Sequence, residues 1–166
     1  MSTPERAWVG LGGNVGDAVA TVRAAIEALS RLPGTRLLRA SRLYRTPAWG
    51  VREQADFINA VVLLETSLGP RVLLDRMLEI ERNFGRERRE RWGPRVLDLD
   101  LLDHRGTVRD GPDSPLLPHP RLSDRAFVLL PLRDIAPGWR HPASRRTIAE
   151  LLESLPEGQR IRRLRP

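Results

Sequence analysis

The 166-residue sequence predicts a single α+β domain, spanning residues 1–166 and built on an antiparallel sheet. Three observations support this fold class. Two long segments carry apolar residues at helical spacing, the stretches around them have the apolar or alternating character of strands, and glycine or proline separates most of these segments.

The first half of the chain predicts the order strand, helix, strand, strand. Asn14 and Asp17 are suited to cap the helix, in which apolar residues recur up to Leu32. The four glycines between residues 10 and 16 lack the spacing of a dinucleotide fingerprint, so we interpret them as a tight strand-to-helix turn. The predicted strands are residues 7–11, 37–45 and 57–66.

The second half predicts a further helix and strand, followed by shorter elements. Pro70 occupies the favoured first position of a helix that ends at Gly85, and residues 96–102 form the next strand. Beyond it we expect a strand at residues 107–109, a helix from Ser123 to residue 130, a helix at residues 147–155 and a basic strand at residues 160–164. The order of the main elements is that of a ferredoxin-like βαββαβ sandwich with additional C-terminal helices.

The strand predicted at residues 96–102 has two chemically opposite faces. Leu97, Leu99 and Leu101 alternate with Asp98 and Asp100. In a strand the two aspartates project to the same side, with Cα atoms roughly 6.5–7 Å apart. Because like charges this close repel each other, we expect the face to be either heavily solvated or neutralised by a cation.

Several arginines lie just upstream of this strand. A guanidinium group can bind two phosphate oxygens at once, and Mg²⁺ is held by one or two carboxylates together with oxygens of a substrate phosphate. The pattern therefore fits metal-dependent phosphate chemistry, although an amphipathic surface strand beside a solvated charged loop would show the same spacing. The arginines of this segment are Arg86, Arg88, Arg89, Arg91 and Arg95.

The string RWGPRVLDLDLLD, at residues 91–103, resembles the signature of the 6-hydroxymethyl-7,8-dihydropterin pyrophosphokinase family. Further segments between Trp8 and Leu132 agree with that family in the same order, among them WVGLGGNVGD, DFINAVVLLET and LPHPRLSDRAFVLLPL. The resemblance implies an enzyme of tetrahydrofolate biosynthesis. Its reaction would transfer diphosphate from ATP to the hydroxymethyl group of the dihydropterin and release AMP.

The resemblance also implies roles in catalysis and ATP binding. Asp98 and Asp100 would hold two Mg²⁺ ions on the triphosphate, and Arg86 and Arg95 would grip its phosphates. The segment between Gly85 and Trp92 is shorter than in some relatives. The resemblance therefore leaves open whether Arg88 or Arg89 takes the auxiliary basic role. The implied ATP contacts are Glu81, Arg88, Arg89, the backbone of Leu101, His119 and Arg125. For Glu81, the alternatives are pairing with the arginines of the loop and an exposed helical salt bridge.

A flat pterin requires aromatic faces above and below it and hydrogen-bonding groups at its edge. By the resemblance, Phe57 and Phe127 stack on the pterin, Asn59 binds its edge, and Trp92 closes over it. Without the resemblance each Phe would be interpreted as a core residue, whereas an amide within the apolar run INAVVLL needs partners if it is buried. The implied pterin contacts are Thr46, Pro47, Trp49, Phe57, Asn59, Trp92 and Phe127.

The composition limits the alternatives. The chain has no cysteine, which excludes disulfides and thiolate chemistry, and all of its 28 basic residues are arginine. A net charge of +7 suits polyanions, so an RNA-binding module on the same fold is the main alternative and a nucleotidyltransferase the second. An RNA-binding sheet displays aromatic side chains, of which this chain has few, and paired aspartates would repel a phosphate backbone.

Neither a long apolar run nor a signal-peptide pattern is present in the sequence. We therefore expect a cytoplasmic location. The expected partners are ATP and the dihydropterin, with neither nucleic acid nor membrane, and the expected state is a monomer.

Overall fold

The computed structural model describes residues 3–47, 55–85, 96–156, 159 and 162–164. The elements, in chain order, are β1 (Glu5–Gly13), α1 (Ala18–Ser30), β2 (Thr35–Ala40), β3 (Tyr44–Thr46), β4 (Phe57–Thr66), α2 (Pro70–Asn83), β5 (Asp98–His104), α3 (Ala126–Ile135), α4 (Ile148–Glu153) and β6 (Arg162–Arg163). A 3-10 turn at Leu122–Asp124 precedes α3.

The strands form one antiparallel sheet in the order β5-β1-β4-β3-β6, and β2 pairs with β4 on the same side as β3. In a βαββαβ sandwich the fourth strand lies beside the first, and the third separates the first from the second. Here β1 is the first strand of that pattern, β4 is the third and β5 is the fourth. Because β2 and β3 together take the place of the second strand, the observed order is the same. The predicted fold class is confirmed.

Helices cover both faces of the sheet. In the central strand β4, Val62 and Leu64 enter the core that includes α1 and α2, whereas Val61 and Leu63 enter the core formed with α3 and α4. Since both faces of β4 are buried, its sequence is apolar at consecutive positions rather than at alternate ones.

The single strand predicted at residues 37–45 is wrong, because the structure has two strands there. Between them the Ser41 hydroxyl accepts a hydrogen bond from the Val61 N–H at 2.9 Å, and the Ser41 N–H donates to the Val61 carbonyl at 2.9 Å. A side chain thus replaces one backbone partner of the ladder, which interrupts regular pairing.

Other element boundaries also differ from the predictions. A single bridge between Arg109 and Leu117 replaces the strand predicted at residues 107–109. The helix predicted from Ser123 is wrong at both ends: α3 begins at Ala126, because the residues before it form the 3-10 turn, and it continues through Pro131.

The caps of two helices were predictable from short motifs. Asp17 accepts a hydrogen bond from the Ala20 N–H at 3.1 Å, which confirms it as the cap of α1, whereas Asn14 instead donates to the Ala55 carbonyl at 2.9 Å. Thr147 and Glu150 form a reciprocal capping box at the start of α4. Among the helices that the structure describes, none combines the length and the apolar character needed to cross a bilayer.

Candidate active site

A cavity of about 510 Å³ opens on the face of the sheet that α3 covers. Strands β1 and β4 contribute its floor and β5 contributes one side. The loop before α3 and the helix itself contribute another side. The predicted site residues that line it are Thr46, Pro47, Phe57, Asn59, Asp98, Asp100, His119, Arg125 and Phe127.

Asp98 and Asp100 face this cavity from the edge strand β5. Leu99 between them points to the opposite face and is buried in the core with α1 and α2, as the alternation of a strand requires. Asp98 pairs with Gly12 of β1, and Asp100 pairs with Gly10. The two carboxylates therefore lie beside a stretch of floor that carries no side chains.

Gly12 is required for a close approach across the sheet. A Cβ atom at Gly12 would lie 2.7 Å from Asn59 Oδ1, so the amide occupies space that any other residue would fill. Asn59 is itself buried, and its Nδ2 donates to Thr46 Oγ1 at 2.9 Å. Asn59, the amide predicted to bind the pterin edge, is thus held by Thr46 in the space that the absence of a side chain at Gly12 leaves open.

The interpretation of the glycines as a turn is wrong for three of the four, because Gly13 lies within β1 together with Gly10 and Gly12. The two-residue spacing that places Gly10 and Gly12 on one face of a strand was present in the sequence and could have indicated an open floor. Whether that face of β1 borders a cavity depends on the side chains of the neighbouring strands.

A β-bulge follows the two aspartates in β5. Leu101 pairs with Val9 and Asp103 with Trp8, so Leu102 is an extra residue in the ladder. Leu101 and Leu102 still alternate, because Leu101 enters the core with α1 and α2 and Leu102 enters the core with α3, on the same face as Asp98 and Asp100. The bulge acts on the next residue: Asp103 lies on the same face as Leu102, and its Oδ2 accepts a hydrogen bond from Trp139 Nε1 at 2.9 Å.

Two basic side chains face Asp100. His119 Nε2 lies 3.7 Å from Asp100 Oδ1, and Arg125 Nη1 lies 3.6 Å from Oδ2. Both separations exceed those of tight hydrogen bonds, and 39% of the Asp100 side chain is exposed. The Arg125 guanidinium also lies over the ring of Phe127, 5.3 Å from its centroid, which is a cation–π arrangement.

His119 is oriented by its own loop. Its backbone N–H donates to the Leu102 carbonyl at 2.8 Å, and its Nδ1 accepts from the Arg121 N–H at 3.2 Å, which leaves Nε2 as the protonated nitrogen of the neutral ring. Burial lowers the pKa of His119 below its usual value. The nearby Asp100 opposes this effect, and the charges of Arg125 and Arg121 add to it.

Phe57 and Phe127 line the cavity from the sheet and from α3 respectively, and both are half-buried. The helix is joined to the sheet by Tyr44, whose hydroxyl donates to Asp134 Oδ2 at 2.8 Å. Burial and this hydrogen bond raise the pKa of Tyr44 to about 12. The bond helps to set the distance between the sheet and the helix, and with it the space between the two phenylalanines.

Two of the residues predicted to contact ATP do not line this cavity. Glu81 lies on α2, on the other face of the sheet, and its Oε2 accepts a hydrogen bond from the Leu99 N–H at 2.7 Å. Since Glu81 is only 3% exposed, the alternative of an exposed salt bridge is wrong. The side chain of Leu101 is in the core, so any ligand contact there is limited to the backbone.

The remaining predicted site residues lie outside the described part of the chain: Trp49, Arg86, Arg88, Arg89, Trp92 and Arg95. The structure adds three polar residues to the cavity that the sequence did not indicate, namely Arg121, Asp124 and Gln159. Arg121 lies two residues after His119 and Asp124 lies directly before Arg125, both of which were predicted. Gln159 had no local signal, because only the folded chain brings it to the cavity.

Comparisons with known proteins show the family of this chain. The family model for 7,8-dihydro-6-hydroxymethylpterin-pyrophosphokinase (HPPK) matches residues 8–137. A 2-amino-4-hydroxy-6-hydroxymethyldihydropteridine pyrophosphokinase of Methylorubrum extorquens is 47% identical over 133 residues, covering 80% of this chain and 83% of the relative. One of Pseudomonas aeruginosa is 43% identical over 152 residues, covering 92% of this chain and 93% of the relative.

Solved structures show the same fold. The wild-type HPPK-DHPS of Plasmodium falciparum, crystallised with STZ-DHP, superposes with a TM-score of 0.74 at 16% identity over 92% of this chain. This chain spans 42% of that longer chain. The likeness therefore concerns the fold of one part of the larger protein.

Proposed function

The chain belongs to the 7,8-dihydro-6-hydroxymethylpterin-pyrophosphokinase family, and we propose that the cavity beside Asp98 and Asp100 is where it performs the family's reaction. That reaction transfers pyrophosphate from ATP to 6-hydroxymethyl-dihydropterin, in folate biosynthesis. The observation that supports the location most strongly is that one cavity combines paired carboxylates, basic groups and two aromatic rings.

The pterin is proposed to lie between Phe57 and Phe127, since a flat aromatic ligand gains most from rings on either face. Asn59 and Thr46 would meet its polar edge. Their buried hydrogen bond holds the amide in place before any ligand arrives, which reduces the entropy lost on binding. Pro47, Trp49 and Trp92 complete the proposed contacts.

ATP is the co-substrate of this family, and we assign its phosphates to the side of the cavity near Asp100. His119 and Arg125 are the described residues that would meet the nucleotide there, together with the backbone of Leu101. Arg86 and Arg95, with Arg88 or Arg89 in support, are proposed to bind the phosphates. For Glu81 we propose an indirect role, because its carboxylate is bound to the strand between the two aspartates.

The donor set fits magnesium. In the described part of the chain no group of three or more His, Cys, Asp or Glu side chains could hold a metal by itself. Mg²⁺ needs only one or two protein carboxylates when a substrate phosphate and water supply the other oxygens. Asp98 and Asp100 are proposed to hold two such ions, which when bound would neutralise charge on the phosphate oxygens.

The chemical step requires no covalent intermediate. The hydroxymethyl oxygen of the pterin forms a bond to the β-phosphorus of ATP and gives up its proton to one of the two aspartates or to water. The bond from that phosphorus to the α,β-bridging oxygen breaks, and AMP leaves with that oxygen. The protein must place the two substrates in line and stabilise the charge that develops. Arg125 is suited to couple both tasks, because it faces Asp100 and also covers the ring of Phe127.

The test is turnover by the purified protein with ATP, Mg²⁺ and 6-hydroxymethyl-dihydropterin. The expected products are AMP and the pterin diphosphate, without free pyrophosphate. Release of free pyrophosphate would instead support nucleotidyl transfer and contradict the proposal.

Asp98→Asn and Asp100→Asn should each lower kcat by roughly 100-fold or more, because charge neutralisation at a transferring phosphoryl group is worth several kcal/mol. The thermal unfolding midpoint should stay close to that of the wild type. Asp113→Asn, an exposed aspartate that does not line the cavity, is the matched control and should keep full activity. Wild-type kcat in either cavity variant would refute the metal role.

A further inference from the structure

We propose that Gln159 is a positioning residue of the active site, through which the C-terminal segment fixes Arg125 and Phe127 for both substrates. The inference rests on the proposed function, because it concerns the same cavity. It gives the segment after α4 a part in substrate binding rather than in stability alone.

Gln159 holds the backbone on both sides of Arg125. Its Oε1 accepts a hydrogen bond from the Ala126 N–H at 2.8 Å, and its Nε2 donates to the Asp124 carbonyl at 2.8 Å. One amide thus bridges the two peptide groups that flank the arginine facing Asp100. It also lines the cavity itself.

The start of α3 depends on this remote amide. Arg125 occupies the cap position but makes no side-chain capping bond, and its carbonyl accepts from the N–H groups of Val128 and Leu129, so the Ala126 N–H at the start of the helix depends on an acceptor from elsewhere. Gln159 provides one from 33 residues further along the chain. Loss of that acceptor would loosen the turn that carries Arg125 and Phe127.

A small shift at this turn would affect both halves of the cavity. Arg125 lies 3.6 Å from Asp100, where the nucleotide is proposed to bind, and its guanidinium rests on Phe127, which is proposed to stack on the pterin. Because only Ala126 separates the two residues along the chain and their side chains are in contact, they are expected to move together. Gln159 is therefore placed to influence the affinity for both substrates.

The segment that carries Gln159 is anchored on either side. Before it, Ile148 and Leu151 of α4 are buried in the core shared with α3. After it, β6 pairs with β3, and the Leu164 N–H donates to the Leu43 carbonyl at 2.8 Å. Strand β3 ends at Thr46, the partner of Asn59, so the C-terminal segment connects the helix side of the cavity with the pterin side.

Two substitutions separate positioning from simple stabilisation. Gln159→Met keeps the length of the side chain and removes both hydrogen bonds. The KM values for ATP and for the pterin should each rise roughly 10-fold, the equivalent of two ordinary hydrogen bonds, with little change in kcat. Gln159→Glu keeps an acceptor for the Ala126 N–H but replaces the donor to the Asp124 carbonyl with a second acceptor, so it should restore the pterin KM only in part.

The matched control is Thr147→Ala, which removes the cap of α4 away from the cavity. It should lower stability to a similar extent and leave both KM values unchanged. If Gln159→Met behaves like Thr147→Ala, with lower stability and wild-type KM values, Gln159 is only a helix cap and the proposal is wrong.

Amide hydrogen exchange keeps this test independent of the proposed reaction. The Ala126 N–H should exchange faster in Gln159→Met than in the wild type or in Gln159→Glu. Unchanged protection of that amide would overturn the contact itself. Absence of turnover by the wild-type enzyme, with Ala126 exchanging as expected, would count against the proposed function and not against the contact.

Discussion

The glycine beneath Asn59 offers the most specific test of how this cavity is built. Gly12→Ala adds one methyl group to the floor. The backbone at Gly12 is not in the left-handed region, so alanine can adopt it, and the obstacle is the Asn59 Oδ1 at 2.7 Å from the new Cβ. Ordinary carbon–oxygen contacts lie near 3.3–3.6 Å, so the amide must retreat by roughly 0.6–0.9 Å.

That displacement should break the hydrogen bond from Asn59 Nδ2 to Thr46 Oγ1, whose partners are both buried. Leaving such groups unsatisfied costs about 1–3 kcal/mol. For a domain of this size we expect the unfolding midpoint to fall by about 2–4 °C for each kcal/mol. The affinity for the pterin should fall roughly 10-fold or more, because the group proposed to bind its edge is misplaced.

Thermal unfolding and titration with the pterin measure the two effects. Gly10→Ala is the control for stability, since its Cβ would lie 3.5 Å from Leu102, an ordinary contact, and should change stability by about 0.5 kcal/mol or less. In an Asn59→Ala background the obstacle is absent, so Gly12→Ala should then cost little more than Gly10→Ala. If Gly12→Ala alone is as stable as Gly10→Ala and binds the pterin normally, the reasoning is refuted.

Two further predictions concern groups around the aspartate strand. Glu81→Leu should lower the free energy of unfolding by about 2–3 kcal/mol and reduce turnover, because the Leu99 N–H loses a buried, charged acceptor. Glu81→Gln keeps an acceptor and should lower the free energy of unfolding by less. Denaturant titration measures both losses, and equal losses would contradict this account. Because the pKa of His119 is lowered on folding, the unfolded chain takes up this proton first, so stability should be full above pH 6.5 and decline as the pH falls below it. Denaturation midpoints across this range should show a smaller decline in His119→Gln, and an identical decline in both proteins would contradict the assignment.

The parts of the fold that depend on neighbouring residues were predictable. The alternation of Asp98 and Asp100 with leucines indicates a strand with one acidic face, and the structure has both aspartates facing one cavity. The cap at Asp17 and the central strand β4 follow from equally local patterns. In each case the physical cause lies within a few residues, as side-chain alternation or an acceptor for a free N–H.

The misplaced elements share a different cause. Ser41 interrupts a strand because its hydroxyl binds Val61, and α3 begins only at Ala126, whose N–H group is bound by Gln159. Glu81 appears as an exposed helical residue in the sequence, but β5 lies at the edge of the sheet and Leu99 takes Glu81 as its hydrogen-bond partner. Each of these contacts joins residues far apart in the chain, which local patterns do not report.

The sequence by itself determined the order of the main helices and strands, except that residues 37–45 belong to two strands instead of one. It also determined the acidic face of β5 and, through its motifs, the family. Only the tertiary structure decided that Gly12 makes room for Asn59, that Leu102 forms a bulge and that Gln159 reaches the cavity. The physical reason is that alternation and capping act between near neighbours, whereas the shape of a cavity is set by steric and hydrogen-bonding contacts between strands and segments that meet only when the chain is folded.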